Sequence, residues 1–378
     1  MRENGLRIAK IKGSTSLKTF IHLPARLYKN DSRWVPSLYV DEYQFHDAQK
    51  NPAFKNATVE RWIAYQDEEP VGRIMGIIHH TYNQVQQEKT ARFFQMDCVN
   101  DLAVSRLLIT TVEQWALEQG MNQLIGPFGF SDKDPQGFQI EGLEHLPVIA
   151  TPAHPAYMPA MLDRLGYGKY LDCVSYRIPI PAVLPALYKR VLQRVQQNKQ
   201  VHLLEFTSRR ALKPYVVPVF QLINETYMPL FGFIPMSEEE IEKMARQYLP
   251  ILNPAFVKAM VDDEGQLLSF VVAMPDMSKG LQKAKGKLFP FGILHIFSAM
   301  RKTRQLNLLL GAVKDGYRGK GLDVYMAMAL IKTASAKGMT HMDSHLILET
   351  NRTMRAECEK LNGELYKRFR VFVKQLKK

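Results

Sequence analysis

The sequence predicts a mixed α/β (α+β) protein made of two similar domains, each a mixed, mostly antiparallel sheet flanked by helices. Its length of 378 residues suits two domains of ordinary size. The same order of predicted elements occurs twice: helices, a hairpin, a strand, a helix, a strand, a helix and a strand. A cluster of prolines at 179, 181 and 185 separates the two runs. We therefore expect a first domain over residues 1–180, a linker helix over 181–200 and a second domain over 201–378.

In the first half, β-rich runs alternate with apolar residues at helical spacing. An acidic turn at 67–70 lies between two such runs and predicts a hairpin. Asn100 and Asp101 precede a helical pattern that we expect to end near Gly120. The remaining elements expected here are strands at 92–98, 123–126 and 170–178 and a short helix near 157–165.

The second half repeats this scheme. Ser237 and Glu240 have the spacing of a capping box and predict the start of a helix. The turn at 262–265 predicts a hairpin, and a long connector follows at 275–304. The remaining elements expected here are a helix near 215–227, strands at 305–313, 340–348 and 365–374, and helices at 323–337 and from Asn351.

Composition predicts a soluble, cytoplasmic protein. Hydrophobic residues make up 46% and charged residues 23% of the chain, which is typical of a globular protein. Three widely spaced cysteines argue against a disulfide framework or a zinc ribbon and fit a reducing compartment. We find no signal-peptide pattern and no apolar run of about 20 residues that would span a membrane.

The charge is unevenly distributed between the two halves. The whole chain carries +13. Residues 1–190 contain 21 basic and 20 acidic residues, a net of +1, so the remainder carries +12. This asymmetry suggests that the second half meets an anion: a nucleotide-like cofactor, a nucleic acid or an anionic membrane. The alternative is that the basic side chains only keep the protein soluble.

A basic glycine loop between an apolar strand and a helix carries the strongest local signal. It reads Lys314-Asp315-Gly316-Tyr317-Arg318-Gly319-Lys320-Gly321-Leu322-Asp323. The start of a helix leaves backbone N–H groups unpaired and favours negative charge, and glycines let a phosphate approach the backbone. The loop therefore fits a pyrophosphate, or alternatively is only a tight strand-to-helix turn. It matches neither the nucleotide P-loop nor G-x-G-x-x-G.

This stretch resembles the acyl-CoA signature of the GCN5-related N-acetyltransferase (GNAT) superfamily. Arg318 and Gly321 match the first and fourth positions of that signature, whereas Asp323 replaces the usual Gly or Ala. The following helix, from Asn351, resembles the family's second marker, with Cys358 where the family has a tyrosine. The resemblance implies an N-acyltransferase that uses acetyl-CoA or a longer acyl-CoA as donor and an amine of a small molecule or peptide as acceptor. The donor-binding residues that it implies are Ala312, Val313, Lys314, Arg318, Gly319, Lys320, Gly321, Leu322, Asp323 and Asn351.

The first half has the same element order but no Arg-x-x-Gly loop after its strand at 92–98. It resembles a degenerate GNAT domain without donor binding. The whole chain is similar to bacterial tandem-GNAT proteins. This resemblance implies one donor site, in the second half, with the first half shaping the acceptor side.

Catalytic candidates come from the strand predicted at 340–348. Alternation would place His341, Asp343, His345 and Glu349 on one face. Either this face lines the acceptor pocket and Glu349 or His345 takes the amine proton, or the face is merely solvated. Two histidines four apart on a strand do not make a metal pair, so we expect no metal.

The general acid stays open at this point. Cys358 could protonate the leaving thiolate from the position of the family's tyrosine, or it could be a small buried apolar residue. Tyr366 is a further candidate if the chain bends back towards the site.

The basic and aromatic connector at 275–304 has two interpretations. It could contact a membrane surface or a long acyl chain, or it could be an extended hairpin that packs against the other domain. Two other functions remain open for the chain as a whole. One is a non-catalytic CoA-binding protein, and the other is a nucleic-acid-binding protein, which we do not expect because no nucleic-acid motif accompanies the charge.

Overall fold

The computed structural model describes residues 5–149, 151, 153–181, 195 and 200–377. The predicted linker helix at 181–200 lies almost wholly outside these residues. The strands are β1 Leu6–Lys10, β2 Ala57–Gln66, β3 Glu69–His79, β4 Thr90–Cys98, β5 Gln123–Gly126, β6 Phe138–Glu141, β7 Gly168–Pro179, β8 Val201–Glu205, β9 Val257–Asp262, β10 Leu267–Pro275, β11 Gln305–Val313, β12 His341–Asp343, β13 Ile347–Leu348 and β14 Glu364–Gln375.

Helices flank this sheet and are numbered in chain order. They are α1 Gly13–Leu27, α2 Tyr39–His46, α3 His80–Gln86, α4 Leu102–Glu118, α5 Tyr157–Arg164, α6 Arg209–Leu212, α7 Val216–Thr226, α8 Glu238–Tyr248, α9 Ser278–Ala284, α10 Gly292–Lys302, α11 Leu322–Ala336 and α12 Arg352–Lys360. Among the described residues, no helix is both long and apolar enough to cross a bilayer.

One continuous sheet joins the two halves of the chain. Its main order is β1-β2-β3-β4-β5-β14-β7-β12-β11-β10-β9-β8, with β6 beside β14 and β13 beside β7. The pairs β4–β5 and β11–β12 are parallel, and the other pairs along this path are antiparallel. The predicted mixed, mostly antiparallel sheet is therefore confirmed.

The two halves exchange strands at the centre of the sheet. The last strand, β14, lies between β5 and β7 of the first half, and β7 in turn pairs with β12 of the second half. Strands β14 and β7 are twelve residues long each. Because β14 and β7 each have a strand on both sides, neither half ends in an open edge there.

Two local expectations are corrected. The connector at 275–304 is not an extended hairpin but contains helices α9 and α10. The strand predicted at 340–348 ends at Asp343, and His345 has a positive φ of 60°. This backbone conformation interrupts the alternation of side chains along the strand. Asp343 and Glu349 therefore do not lie on one strand face as predicted.

Three apolar layers hold the helices on the sheet. In the first half, α4 packs on β3 and β4 through residues such as Leu108 and Val112. In the second half, α11 buries Leu330 and Ile331 against one face of the sheet. The other face carries α7, which buries Phe220 beside β9 and β10. Helix α11 is thereby fixed rigidly behind the glycine loop that precedes it.

Candidate active site

The glycine loop links β11 to α11 through two left-handed residues. Gly319 has a φ of 71°, and Gly321, the N-cap of α11, has a φ of 87°. Only glycine adopts this conformation readily. A Cβ added to Gly319 would meet nothing within 4 Å, so the space beside the loop is open. The sequence prediction of a strand–loop–helix unit at this place is confirmed.

The start of α11 presents free amide groups and positive side chains. No side chain caps this helix among the described residues. Its first amides therefore point into open space. Arg318 lies beside them with its side chain 57% exposed and pairs with Asp315 at 2.9 Å. The Lys320 ammonium lies 4.9 Å from the centre of the Tyr317 ring. Such a surface can bind a diphosphate.

The predicted donor-binding residues differ in what they offer a ligand. Leu322 is only 2% exposed and anchors α11 in the core, so only its backbone is available. Asp323 is exposed in the first turn. The Lys314 amide donates to Leu268 O at 2.8 Å. In an antiparallel ladder, successive residues alternately turn their backbone N–H towards the neighbouring strand and away from it. Because the Lys314 amide faces β10, the Ala312 amide faces β10 as well, and the Val313 amide faces the open edge of β11.

Strands β11 and β12 diverge soon after they meet. They pair only from Gln305 with His341 to Asn307 with Asp343. This point of divergence is the vertex of a wedge. Beyond it β11 continues to Val313 and pairs with strand β10 on one side, with a register shift opposite Val272 and Ala273 that indicates a β-bulge near Leu309. The open edge of β11 therefore forms one wall of this wedge, which leads to the glycine loop.

Tyr227 occupies the open edge of β11 and was not predicted from the sequence. Its hydroxyl donates to Gly311 O at 2.9 Å and lies 3.5 Å from the Gly311 amide. Burial raises the pKa of Tyr227, so the phenol is protonated at neutral pH. The residue follows the last turn of α7, and no sequence pattern marks that position as functional. Its hydroxyl shows where a polar ligand group can reach β11.

A polar cluster lies at the vertex of the wedge. Tyr366 donates a hydrogen bond to Asp343, which also accepts the His345 amide at 2.7 Å. Asn307 donates to Asp276 at 3.2 Å across the same vertex. Burial and the charge of Asp343 raise the pKa of Tyr366, so its phenol stays protonated. Asp343 is 1% exposed and is the central carboxylate of this cluster.

The other predicted catalytic residues lie elsewhere or have other partners. Glu349 forms ion pairs with Lys169 and Arg368 and shares no partner with Asp343. Cys358 lies on the buried side of α12 and is 2% exposed, and burial raises the pKa of its thiol to about 12. Asn351 is the N-cap of α12, and its side chain accepts the Met354 amide at 3.1 Å.

His345 remains close to the vertex. Its amide is bound to Asp343, and its carbonyl accepts from the hydroxyl of Ser175 at 3.0 Å. Burial lowers the pKa of its imidazole. The ring is therefore neutral at physiological pH and could accept a proton.

A cavity of about 620 Å³ lies where β4 diverges from β5 in the first half. Residues of both halves line it, including Phe94 of β4, Tyr248 of α8 and Ile296 of α10. Its lining is mostly apolar but contains five carboxyl groups and three basic groups. The acidic residues are Asp41, Glu42, Asp97, Asp134 and Glu240, and the basic ones are Arg73, Lys133 and Lys243.

Two of these carboxyl groups lie deep in the cavity wall. Asp97 accepts hydrogen bonds from Arg73 Nε and from the Tyr28 hydroxyl, both at 2.8 Å. Burial alone would raise the pKa of Asp97, but the Arg73 charge and these hydrogen bonds outweigh it and lower the pKa. Glu42 accepts a hydrogen bond from the Gln95 side-chain amide at 2.9 Å, and burial raises its pKa. The cavity therefore suits an apolar ligand with a cationic end.

The wall of this cavity continues to the wedge of the second half. Leu309, at the bulge of β11, packs against the apolar cluster of Met277, Leu281 and Ile296. All three residues of that cluster also line the cavity. Met277 further lies between Asp276 and Ser278, whose side chains hydrogen-bond at 2.7 Å within the polar cluster. The cavity wall and the bulge of β11 therefore share one apolar cluster.

The architecture has close counterparts among solved structures. A tandem GNAT protein from the clavulanic acid biosynthesis pathway matches with a TM-score of 0.56 and 14% identity, covering 99% of each chain. A GCN5-related N-acetyltransferase from Sphaerobacter thermophilus matches with a TM-score of 0.54 and 10% identity, covering 100% of this chain and 98% of that chain.

The chain has the tandem GNAT fold. The resemblance to this superfamily, inferred from the glycine loop and the Asn351 helix, is thereby confirmed for the fold. At identities this low, structural likeness establishes architecture only, and the reaction has to be argued from the residues of the site.

Two proteins resemble this tandem GNAT chain in sequence over nearly its whole length. The protein YghO of Escherichia coli (strain K12) is 26% identical over 368 residues, which is 95% of this chain and 93% of that protein. A Caulobacter vibrioides protein named bacterial ceramide synthase is 25% identical over 378 residues, which is 98% of each chain. No protein-family model matches the sequence.

The two GNAT-like halves share a wedge but differ at the helix that follows it. Strand β4 also has a bulge, near Gln95, which has a positive φ of 44°. Helix α4, however, follows β4 without a glycine loop, and the Asp101 carboxylate accepts the Ala103 amide at 2.7 Å. A carboxylate at the helix start repels a phosphate and uses the amide that it would need. This difference argues against a donor site in the first half.

Proposed function

We propose that the protein is an acyl-CoA-dependent N-acyltransferase that acylates a long-chain amine. The donor pyrophosphate binds at the start of α11, and the pantetheine and thioester extend along the open edge of β11 towards its bulge. The amine enters from the cavity on the other side of Leu309. The observation that carries the proposal is the uncapped, basic start of α11 beside an open wedge.

The cavity supports the choice of acceptor. Its volume of about 620 Å³ falls within the range of roughly 300–1,000 Å³ that ligand pockets occupy. Five carboxyl groups against three basic groups favour a cationic headgroup, and the apolar walls favour a hydrocarbon chain. The name of the Caulobacter relative, bacterial ceramide synthase, agrees with this choice, because a ceramide is an amide of a long-chain amine.

The vertex supplies groups for the two proton transfers. The amine nitrogen attacks the thioester carbonyl carbon, a C–N bond forms, the C–S bond breaks, and the thiolate of CoA leaves. The amine must lose a proton and the thiolate must gain one. We assign the first transfer to the cluster of Asp343, Tyr366 and His345, in place of Glu349. We assign the second to the Tyr227 hydroxyl, in place of Cys358, because it is protonated and touches β11.

Two substitutions in the glycine loop test the donor site. Arg318→Ala removes a charge, and Gly319→Ala places a methyl group in the open space beside the loop. Arg318→Ala should weaken CoA binding by about tenfold or more, because a charge-assisted bond contributes about 1.5–3 kcal/mol. Gly319→Ala should also weaken it, because the methyl group occupies space that the phosphate needs and the left-handed backbone disfavours alanine. Isothermal calorimetry with CoA and with a long-chain acyl-CoA measures the change.

The other end of α11 offers matched controls. Lys337→Ala removes one positive charge there, and Gly338→Ala adds a methyl group at a φ of 75° with nothing within 4 Å. Both controls should bind CoA like the native protein. Equal losses in the loop variants and the controls would show a general effect on stability and would contradict the donor site.

A non-catalytic CoA-binding protein is the second candidate function. It is favoured by the buried Cys358, which stands where the family has a tyrosine and is not available as an acid. The release of free CoA in the presence of acyl-CoA and long-chain amines distinguishes the two functions. Tight CoA binding without thiol release for any amine would favour the binding protein.

A further inference from the structure

Helices α9 and α10 form an exposed hairpin with a one-signed charge. From Met277 to Arg304 the sequence has seven basic residues and no acidic residue. Lys279, Lys283, Lys285 and Lys287 precede the apolar tip, and Arg301, Lys302 and Arg304 follow it; all seven are exposed. Within the part of the chain that the structure describes, none of them forms an ion pair. Their positive charges are therefore available to bind an anionic partner.

The tip of this hairpin exposes large apolar side chains. Phe289 is 77%, Phe291 65% and Leu294 62% exposed. Val40 and Tyr43 of α2 are also exposed, and α2 is tied to the hairpin by the hydrogen bond from the Tyr39 amide to Gly286 O at 2.8 Å. Several large exposed apolar side chains on two joined elements indicate an interaction site.

The same hairpin forms part of the wall of the 620 Å³ cavity. Ile293 and Phe297 lie one turn apart on α10, line the cavity on one side and are exposed on the other. Leu288 and Ile296 complete this part of the cavity wall. The apolar tip is therefore continuous with the interior of the cavity.

We propose that the α9–α10 hairpin docks on an anionic lipid bilayer and opens the cavity towards it. The aromatic tip inserts at the level of the headgroups, as the apolar face of an interfacial helix does, while the basic residues around it contact lipid phosphates. Seven basic residues on a hairpin that has no acidic residue of its own complement a phosphate surface better than a mixed protein surface. A long-chain ligand could then enter the cavity without crossing water.

Co-sedimentation of the full-length protein with lipid vesicles tests this inference and requires no turnover, so its outcome is separate from that of the transferase proposal. We expect binding to phosphatidylcholine vesicles that contain phosphatidylglycerol, weak binding to phosphatidylcholine alone, and loss of binding at high salt. The double variant Lys283→Gln/Lys287→Gln should bind anionic vesicles more than about tenfold more weakly, since each basic residue near the surface contributes about 1 kcal/mol. Phe289→Ser/Leu294→Ser should lose binding to a similar extent.

Matched substitutions away from the hairpin serve as controls. Lys332→Gln/Lys337→Gln removes two exposed charges from α11, and Val217→Ser/Met228→Ser removes two exposed apolar groups near α7. All variants must keep native CoA binding and thermal stability. Vesicle binding that is absent in the native protein, or unchanged in both hairpin variants, would overturn the inference. A dimer that the apolar variant breaks, without vesicle binding, would instead make the tip a contact between two copies of the chain.

Discussion

Arg73→Met is expected to lower the free energy of unfolding by about 3–5 kcal/mol, because it leaves the buried Asp97 carboxylate without its cation. Arg73 and Asp97 are 7% and 6% exposed, and the guanidinium also donates to Phe20 O at 2.9 Å. Methionine keeps the apolar stem of the side chain and removes the charge. Urea unfolding followed by far-ultraviolet circular dichroism measures the change.

The pH dependence and a double variant separate this effect from lost packing. Arg73 holds the pKa of native Asp97 below its usual value, so the pair contributes stability above the ordinary carboxyl pKa and loses it as the pH falls. The penalty of Arg73→Met should therefore shrink in acid, where Asp97 can become protonated. Arg73→Met/Asp97→Leu should recover most of the loss at neutral pH, since it leaves no unpaired charge. A penalty that is independent of pH and unchanged in the double variant would contradict the ion-pair explanation.

Asp343→Asn is expected to lower kcat by about 10²–10⁴-fold, the usual contribution of a positioned general base. The amide keeps the shape of the carboxylate and can still accept the Tyr366 hydrogen bond, but it cannot take the amine proton. The KM for acyl-CoA should change little, because the donor loop lies at the other end of the wedge. Steady-state release of CoA with a long-chain amine as acceptor measures both constants.

Asp172→Asn is the matched control for this substitution. Asp172 is also 1% exposed, lies on the neighbouring strand β7 and is held by two hydrogen bonds from Arg370, at 2.8 and 3.0 Å. Its loss should reduce stability and leave kcat largely unchanged. If both variants lost activity equally, or if Asp343→Asn kept full activity, Asp343 would not be the base.

The sequence contained enough information for the donor loop and for most elements around it. Its glycines, charges and helix start are all local signals, because the backbone conformation of Gly319 and Gly321 depends on their own lack of a Cβ. The strand predicted at 305–313 coincides with β11, and the capping box of Ser237 and Glu240 is present in α8. Short-range chemistry fixes such elements, so a single sequence is sufficient to predict them.

The strand exchange could not be predicted from local signals. The sequence correctly predicts a strand at 365–374, but nothing in its residues says that β14 lies between β5 and β7. The same limit applies to the vertex. Asp343 and Tyr366 were both noted in the sequence, yet their contact depends on the tertiary pairing that the exchange creates. Tyr227, which no pattern marked, reaches β11 for the same reason.

The hairpin of α9 and α10 shows a different kind of limit. An extended hairpin was one of two interpretations of this connector, and glycine, proline and aromatic residues at 286–292 give no continuous helical pattern there. In the structure these residues form the turn between two short helices, and Gly280 lets the helices approach, since a Cβ there would lie 2.6 Å from the Ile296 Cα. Packing between the helices thus overrides a weak local preference.

The central claim is that the donor pyrophosphate binds at the start of α11, and a crystal structure of the protein with CoA tests it most directly. We expect the diphosphate within hydrogen-bond distance of the backbone amides of residues 319–323, with Arg318 turned from Asp315 towards a phosphate oxygen. The pantetheine should follow the open edge of β11 and displace the Tyr227 hydroxyl from Gly311. CoA bound instead at the start of α4 in the first half, or with its phosphates away from the glycine loop, would contradict the claim.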